Sequence, residues 1–449
     1  MNRRTFKQGI HPLDDGKAST KDNPVRAMRP TGEAVYPLNQ HLGAPSKPVV
    51  AVGDAVLVGQ TLAAPSEFVS AAICSAVSGT VKAIEPRRAV NGRQALCIVV
   101  ENDGRFEAVS DFDTPRTATQ LSAQEILDII RDAGIVGQGG AGFPTHVKLT
   151  AKPGVQLQTI IVNAVECEPY LTSDYRLMLE RPEQLVEGLQ VVLQLFPHAK
   201  GVIAVEDNKP EAIRLLRQTI QGNPRLLVQE LKTKYPQGGE RMLIHAVTGR
   251  DIHSGKLPME VGCVVLNVST VVSIWRAVCR RVPQISTIMT VAGDGAATPC
   301  NIEVPVGTSY REVLEAAGGM NGEPEKMIAG GPMMGLAMVS LDVPVQKTDS
   351  ALLLMLEDEV AQYEPTACIR CGRCVRACPS FLVPPTMARA ADHNALDCFQ
   401  AVHGMECIEC GCCTYVCPAK RRLTQSFKTA KAAVKQQQRR AKGGQVKTL

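Results

Sequence analysis

From about Val49 to Val100 apolar and polar positions alternate in short runs broken by glycine: PVVAVGDAVLVGQTLA, AICSAVSGTVKAIE and ALCIVVENDG. Alternation at period two predicts short half-buried strands, and hence a small all-β module. From Ser122 the period lengthens. SAQEILDIIRDAG carries a Ser cap, a Glu at the third helical position, apolar residues at helical spacing and a terminating Gly134, which together predict a capped helix. Strand-like TIIVNAVE (159–166), helical RPEQLVEGLQVVLQLF (181–196), strand-like GVIAVED (201–207) and helical PEAIRLLRQTI (210–220) then alternate. That order predicts an α/β domain, the largest of the chain, reaching a helix around Ser273–Arg281. Residues 288–345 mix strand signals with one helix, YREVLEAAGG, and a glycine-rich AGGPMMG, which reads as a small α+β module. After a short apolar stretch and Pro365 come a cysteine-rich segment (368–417) and a basic tail. The expected division is therefore 1–118, 119–285, 286–348, 355–427 and a tail at 428–449.

A chain of 449 residues exceeds one hydrophobic core, and 45% hydrophobic with 21% charged residues is the balance of soluble globular modules. The net charge of +5 sits at one end. Residues 428–449 hold seven Lys and Arg with no acid, which leaves the rest of the chain at −2 and gives no reason to expect nucleic acid. The tail reads as solvated and frayed, with anionic lipid or an acidic partner as the rival. No apolar run approaches the roughly 18 residues that a membrane span needs. MNRRTFKQGIHP has charge but no apolar stretch behind it, so it does not read as a secretory signal. Sixteen cysteines in such a chain point to metal rather than disulfides.

The strongest chemical signal is Cys368-x2-Cys371-x2-Cys374-x3-Cys378-Pro379, repeated as Cys407-x2-Cys410-x2-Cys413-x3-Cys417-Pro418. Thiolates three apart on a tight loop reach three irons of one cubane, and in this bacterial ferredoxin spacing the fourth cysteine serves the other cluster. The assignment is Cys368, Cys371, Cys374 and Cys417 for one 4Fe–4S cluster, and Cys407, Cys410, Cys413 and Cys378 for the second. Zinc is the competing use of CxxC pairs, but two complete runs each closed by proline argue for iron–sulfur. The stretch between the runs should be a helical crossover. Cys398 and Cys412 fall off the pattern and read as free thiols.

Clusters accept one electron at a time, so contact with a hydride donor calls for a cofactor that splits a pair, usually a flavin. Gly137, Gly139, Gly140 and Gly142 follow a predicted helix, and such a loop lets main chain lie against a flat ring or a phosphate. By itself a tight turn explains it equally well.

The neighbouring motifs carry a resemblance. VGQGGAGFPTHVKL, IIVNAVECEPY, YPQGGE and LNVSTV appear in the order seen in the flavin- and NADH-binding subunit of respiratory complex I, and the chain most resembles the RnfC family of the Rnf electron transport complex. The likeness runs from QGIHP (8–12) to Pro418. VGDAVLVGQ with SGTVKAIE is similar to the barrel-sandwich hybrid of biotinyl and lipoyl domains, but no lysine stands between Phe68 and Thr80 to act as a swinging arm. The resemblance implies a hybrid barrel, an α/β flavin domain, a β-grasp-like (SLBB) module and a ferredoxin-like domain. It also implies that Gly137, Gly139, Gly140 and Gly142 line FMN, that Lys148 presents a cation to it, and that Asn163, Glu166 and Glu168 belong to the pocket. Gly238, Gly239 and Glu240 match the second glycine–acid element, Asn267 and Thr270 would sit near a helix N-terminus suited to phosphate, and Phe143 would stack on nicotinamide or adenine. Two positions depart from complex I, which has Asp where Val165 stands and Glu where Ser269 stands.

The implied function is a peripheral subunit, at the cytoplasmic face of the plasma membrane, of an ion-translocating ferredoxin:NAD⁺ oxidoreductase. Its cofactors would be FMN, NAD(H) and two 4Fe–4S clusters, and its partners the other Rnf subunits and, through them, ferredoxin. A cobalamin reductase uses similar modules, but such proteins begin at the glycine loop, whereas here a β-rich module comes first. A wiring subunit without nucleotide is the other alternative. On the bare residues, Glu168-Pro169 can simply close a turn, His146 reads as a surface residue and Cys167 as a small core residue.

Overall fold

A computed structural model describes residues 4–150 and 154–445. At its centre lie four parallel strands in the order Leu226–Leu231, Lys200–Glu206, Thr159–Ala164, Cys263–Asn267. The apolar run of the third strand is continuous because both faces are covered. Ile160 and Val162 pack under the helices Ala123–Asp132, Pro182–Gln194, Pro210–Thr219 and Val268–Arg280, whereas Ile161 packs with Val165, Leu243 and Ile244 on the opposite face. Thr159–Ala164 has Lys200–Glu206 on one side and Cys263–Asn267 on the other. The chain thus leaves the sheet in opposite directions at its carboxyl edge, where doubly wound sheets open a ligand crevice.

The expected strands and helices are present with small shifts, and the Ser122–Glu125 capping box is formed. The helix expected around Ser273–Arg281 begins earlier, at Val268, because Asn267 caps it by accepting from Ser269 N. The N-terminal module is two antiparallel sheets, Ala34–Pro37, Gln94–Asn102, Gly79–Arg88 and Ala55–Val56 against Lys47–Pro48, Thr61–Ala64 and Ile73–Cys74. Tyr36, Leu62, Ile73, Val81 and Ile98 fill the space between them.

The module after the flavin-domain segment is larger than 286–348. Its six-stranded sheet takes Val25–Ala27 on one edge, beside Cys300–Pro305, and places Ala351–Met355 between Ser286–Ala292 and Lys326–Ala329. Local pattern cannot assign those outlying strands, whose hydrogen-bond partners are distant in sequence.

Glu303 ties this sheet to the central domain. Arg276 Nη1 lies 2.7 Å from its carboxylate, Arg181 also reaches it, and Ser286 Oγ donates at 2.8 Å. Burial alone would raise the carboxyl, but the two guanidiniums hold it down at about 2. An acid depressed in the folded state stabilises above its unfolded pKa and loses that contribution as pH falls through the folded value. Glu303→Gln should therefore cost about 3 kcal/mol at pH 7 and flatten the decline in stability between pH 4.5 and 2, read from denaturant midpoints across that window.

Between the cysteine runs lie the expected helices, Pro384–Asp392 and Leu396–Ala401. The basic tail is not frayed over its described part. Leu423–Gln445 is one helix whose Leu423, Phe427, Ala430 and Val434 form a stripe at helical spacing against Met387 and Phe399. That apolar stripe orders it, while Lys435, Arg439 and Arg440 remain exposed; residues 446–449 lie outside the described chain. No helix among the described residues is long and apolar enough to cross a membrane.

Candidate functional site

The glycine loop crosses the carboxyl edge of the central sheet. Gln138 N donates to Thr270 Oγ1 at 2.9 Å and Ser273 Oγ donates to Gln138 Oε1 at 3.1 Å, so the start of the helix Val268–Arg280 holds the loop's main chain. Its glycines have different reasons to be there. Gly139 and Gly142 each have φ 68°, and a Cβ would meet Asn267 Nδ2 at 3.0 Å and Thr348 Cγ2 at 2.9 Å respectively. Gly140 is exposed, and a Cβ there would meet nothing within 4 Å. The space above Gly140 is open, and a flat group can approach bare backbone there.

Around this loop the structure gathers several of the expected residues. Lys148 Nζ stands 2.8 Å from Glu240 Oε1, with both side chains partly exposed. Asn163 Nδ2 donates to Gly238 O at 2.9 Å, which docks the Gly238-Gly239-Glu240 turn on the end of its strand. Asn267 donates to Asp174 Oδ2 at 2.7 Å, and Ser269 Oγ donates to Asp174 Oδ1 at 3.1 Å. Ser269, noted only as a departure from complex I, thus anchors a buried carboxylate, and burial raises that carboxyl's pKa. Asp174 escaped the sequence reading; its place in the first turn of a helix was the available signal, but not a distinguishing one. Phe143 is 36% exposed at the loop's far end.

Two expected pocket residues are held by backbone donors of the protein itself. The Glu166 carboxylate accepts from Asp174 N at 2.7 Å and Tyr175 N at 3.3 Å, capping the helix Ser173–Glu180. Burial pushes its carboxyl up to about 7, against the pull of Lys17 at 3.9 Å. Lys17 Nζ itself donates to the carbonyls of Glu166, Glu168 and Leu171, so a residue from the N-terminal segment fixes the whole turn. Glu168 reaches away, accepting from Met334 N at 2.8 Å and Met333 N at 3.4 Å, and so clamps the AGGPMMG loop. Its carboxyl is likewise pushed up to about 7 by burial. His146 is not a surface residue: it is 5% exposed, its Nε2 lies 3.1 Å from Phe68 O, and its ring meets Phe68 edge-on. The barrel hairpin that lacks a lysine is the element that buries it.

The cysteines converge crosswise. One cavity is lined by Cys378, Cys407, Cys410 and Cys413, and also by the off-pattern Cys412, together with Met387 and Phe427. The other is lined by Cys368, Cys371, Cys374 and Cys417 with Pro385 and Leu423. Of the cysteines at the spaced positions, each cavity takes three from one run and the fourth from the other, which is the donor set that a pair of cubanes needs. Cys378, Cys410 and Cys413 are buried, while Cys368 and Cys371 are exposed. Of the two off-pattern cysteines, Cys398 is exposed and Cys412 is buried between the first cavity and the central domain.

Four domain families match the chain in series: the RnfC barrel sandwich hybrid domain over residues 4–105, the Nuo51 FMN-binding domain over 130–276, the SLBB domain over 288–337 and the 4Fe-4S dicluster domain over 361–435. The C-subunit of the proton-translocating ferredoxin:NAD(+) oxidoreductase complex of Clostridium ljungdahlii is 42% identical over 385 residues, covering 86% of this chain and 84% of that one. The C-subunit of the Na(+)-translocating ferredoxin:NAD(+) oxidoreductase complex of Acetobacterium woodii is 40% identical over 436 residues, covering 97% and 98%. Its counterpart in the ion-translocating oxidoreductase complex of Pseudomonas aeruginosa is 42% identical over 355 residues, covering 78% of this chain and 45% of its own. With the glycine loop, the second glycine–acid turn and the crossed cysteine runs all in place, the chain belongs to the RnfC family, the C-subunits of ion-translocating ferredoxin:NAD(+) oxidoreductase complexes.

Proposed function

We propose that the chain exchanges hydride between NAD(H) and FMN and relays electrons singly through two 4Fe–4S clusters to partner subunits of an ion-translocating complex, with ferredoxin as the distant counterpart. FMN takes up electrons as a hydride pair and releases them singly, and each cubane carries one. The residues present suit both groups. Gly140 leaves bare backbone where a ring can lie, Gly139 and Gly142 shape the loop, and Lys148, oriented by Glu240, offers a cation at its edge. Asn163, Asn267 and Thr270 hold the second turn, the helix start and the loop in register. Phe143 is the residue we assign to nucleotide stacking. Glu166 and Glu168 serve this site by shaping its floor.

The observation that carries the reading is the crossed set of eight cysteines in the same chain as the glycine loop, with the buried tetrad facing the flavin domain and the other opening to solvent. The buried tetrad is accordingly the one nearer the flavin, and the exposed tetrad is where a partner docks. The basic helix at the C-terminus and the absence of a spanning helix among the described residues support a peripheral position, which we place on the cytoplasmic side where nicotinamide is available.

Anaerobic purification tests this directly. About eight irons, four for each cubane, with matching sulfide and one FMN per chain are expected, and NADH should bleach the flavin band. Flavin that stays yellow in NADH would remove the hydride step, and zinc in place of iron would remove the relay.

A further inference from the structure

We propose that Tyr235 is a positioning residue for electron transfer: its phenol holds the cysteine loop of the buried cluster against the flavin domain and tunes that cluster's potential. This rests on the cluster assignment above. Tyr235 stands three residues before Gly238, in the loop that Asn163 anchors and that ends at Glu240 facing Lys148. It is 1% exposed, and its hydroxyl donates to the carbonyl oxygen of Cys410 at 2.8 Å across a buried interface. One side chain therefore spans from the flavin-side loop to the main chain of a cluster ligand.

The surroundings reinforce the link. Tyr235 exchanges both main-chain hydrogen bonds with Ile10, at 2.8 and 2.9 Å, and the neighbouring Gly9 N donates to Ala377 O at 3.2 Å, one residue before Cys378. Both buried-cluster elements, the Cys407–Cys413 loop and the Cys378 turn, are thus tied to the same strap. Ile10, Tyr235, Ala377, Cys410 and Cys412 form an apolar junction, against which Cys167, Met333 and Ile408 pack. In so apolar a place an O–H dipole is poorly screened, and hydrogen bonds beside a cluster are among the protein's means of setting its potential.

Most buried tyrosines merely satisfy their hydroxyl; this one differs in that its acceptor belongs to a ligand residue. The O–H donates to the main-chain carbonyl of a ligand residue and draws electron density toward its proton there, which favours the reduced, more negative state. Its removal should lower the potential of that cluster and leave the exposed cluster unchanged.

The test uses the full chain, loaded anaerobically, with EPR-monitored redox titration of both clusters and rapid mixing with NADH. Tyr235→Phe is expected to keep iron and flavin content and the rate of flavin bleaching. One cluster's potential should fall, so that the equilibrium constant for moving an electron onto it drops by up to about fivefold, the factor carried by one neutral hydrogen bond. Because Phe could disturb the junction, 3-fluorotyrosine at position 235 provides a nearly isosteric, stronger donor, and it should move the same potential upward. Unchanged potentials in both variants would overturn the proposal, as would loss of iron or flavin in Tyr235→Phe combined with no shift from the fluorinated side chain. A wild-type chain that assembles no clusters would overturn the proposed function itself, which is a separate outcome.

Discussion

Cys378→Ala is expected to abolish the same cluster as Cys410→Ala, and Cys417→Ala the same cluster as Cys371→Ala. The sequence neighbours of Cys378 are Cys374 and Cys371, yet its thiol faces the cavity of Cys407, Cys410 and Cys413. Each variant should retain about four of eight irons, since one cubane survives, and the reduced-state EPR spectra should fall into two pairs that cross the sequence runs. Loss of the buried cluster should also reach the flavin domain. The cavity is walled by Met387 and Phe427, which belong to the core of the ferredoxin-like segment, and by Cys410 and Cys412, which belong to the junction with Tyr235. The exposed cluster lies away from that junction, so Cys417→Ala should leave NADH bleaching of the flavin intact. Spectra that pair Cys378→Ala with Cys371→Ala would reject the crossed ligand sets.

Gly140→Val is expected to empty the flavin site with little change in stability. A Cβ at position 140 meets no protein atom within 4 Å, and its φ is not in the left-handed region, so neither a clash at Cβ nor backbone strain penalises the fold. The only thing to collide with is whatever lies above the loop. A fall in bound FMN of about tenfold or more is expected, the factor for each 1.4 kcal/mol of lost contact, with an unchanged thermal midpoint for the flavin-free chain. Gly142→Val makes the contrast. At φ 68° a branched side chain is strained, and Thr348 is 2.9 Å from the new Cβ, so the loop itself should lose stability. Retention of normal FMN by Gly140→Val would displace the ring from this loop.

Much of this site was legible along the chain because its chemistry is local. The distances between cysteines in a run decide which irons they can reach, and the clustered glycines announce a loop whose backbone comes close to something. For Glu166 and Glu168 the motif gave no hint of the hydrogen bonds that the fold supplies. Both sit in VECEPY at the edge of the sheet, but Glu166 finds two unsatisfied helix N–H groups eight and nine residues on, and Glu168 finds two more in a loop about 165 residues away. A buried carboxylate goes where donors are, and neither set of donors is visible in the motif. Asp174 was missed for the converse reason: its partners Asn267 and Ser269 lie over 90 residues away.

By itself, then, the amino-acid order determined most of the strands and helices of the barrel and central modules, through apolar period, caps and glycine, and which thiols could share a cubane. Only the tertiary structure decided that the C-terminal basic segment becomes a docked helix, that His146 is buried by the barrel hairpin, and that Tyr235 reaches the cysteine loop 175 residues away. The division follows from the physics. Secondary structure and ligand spacing arise from interactions within a few residues, whereas the fate of a polar side chain depends on which distant donor or acceptor the packed domains bring to it.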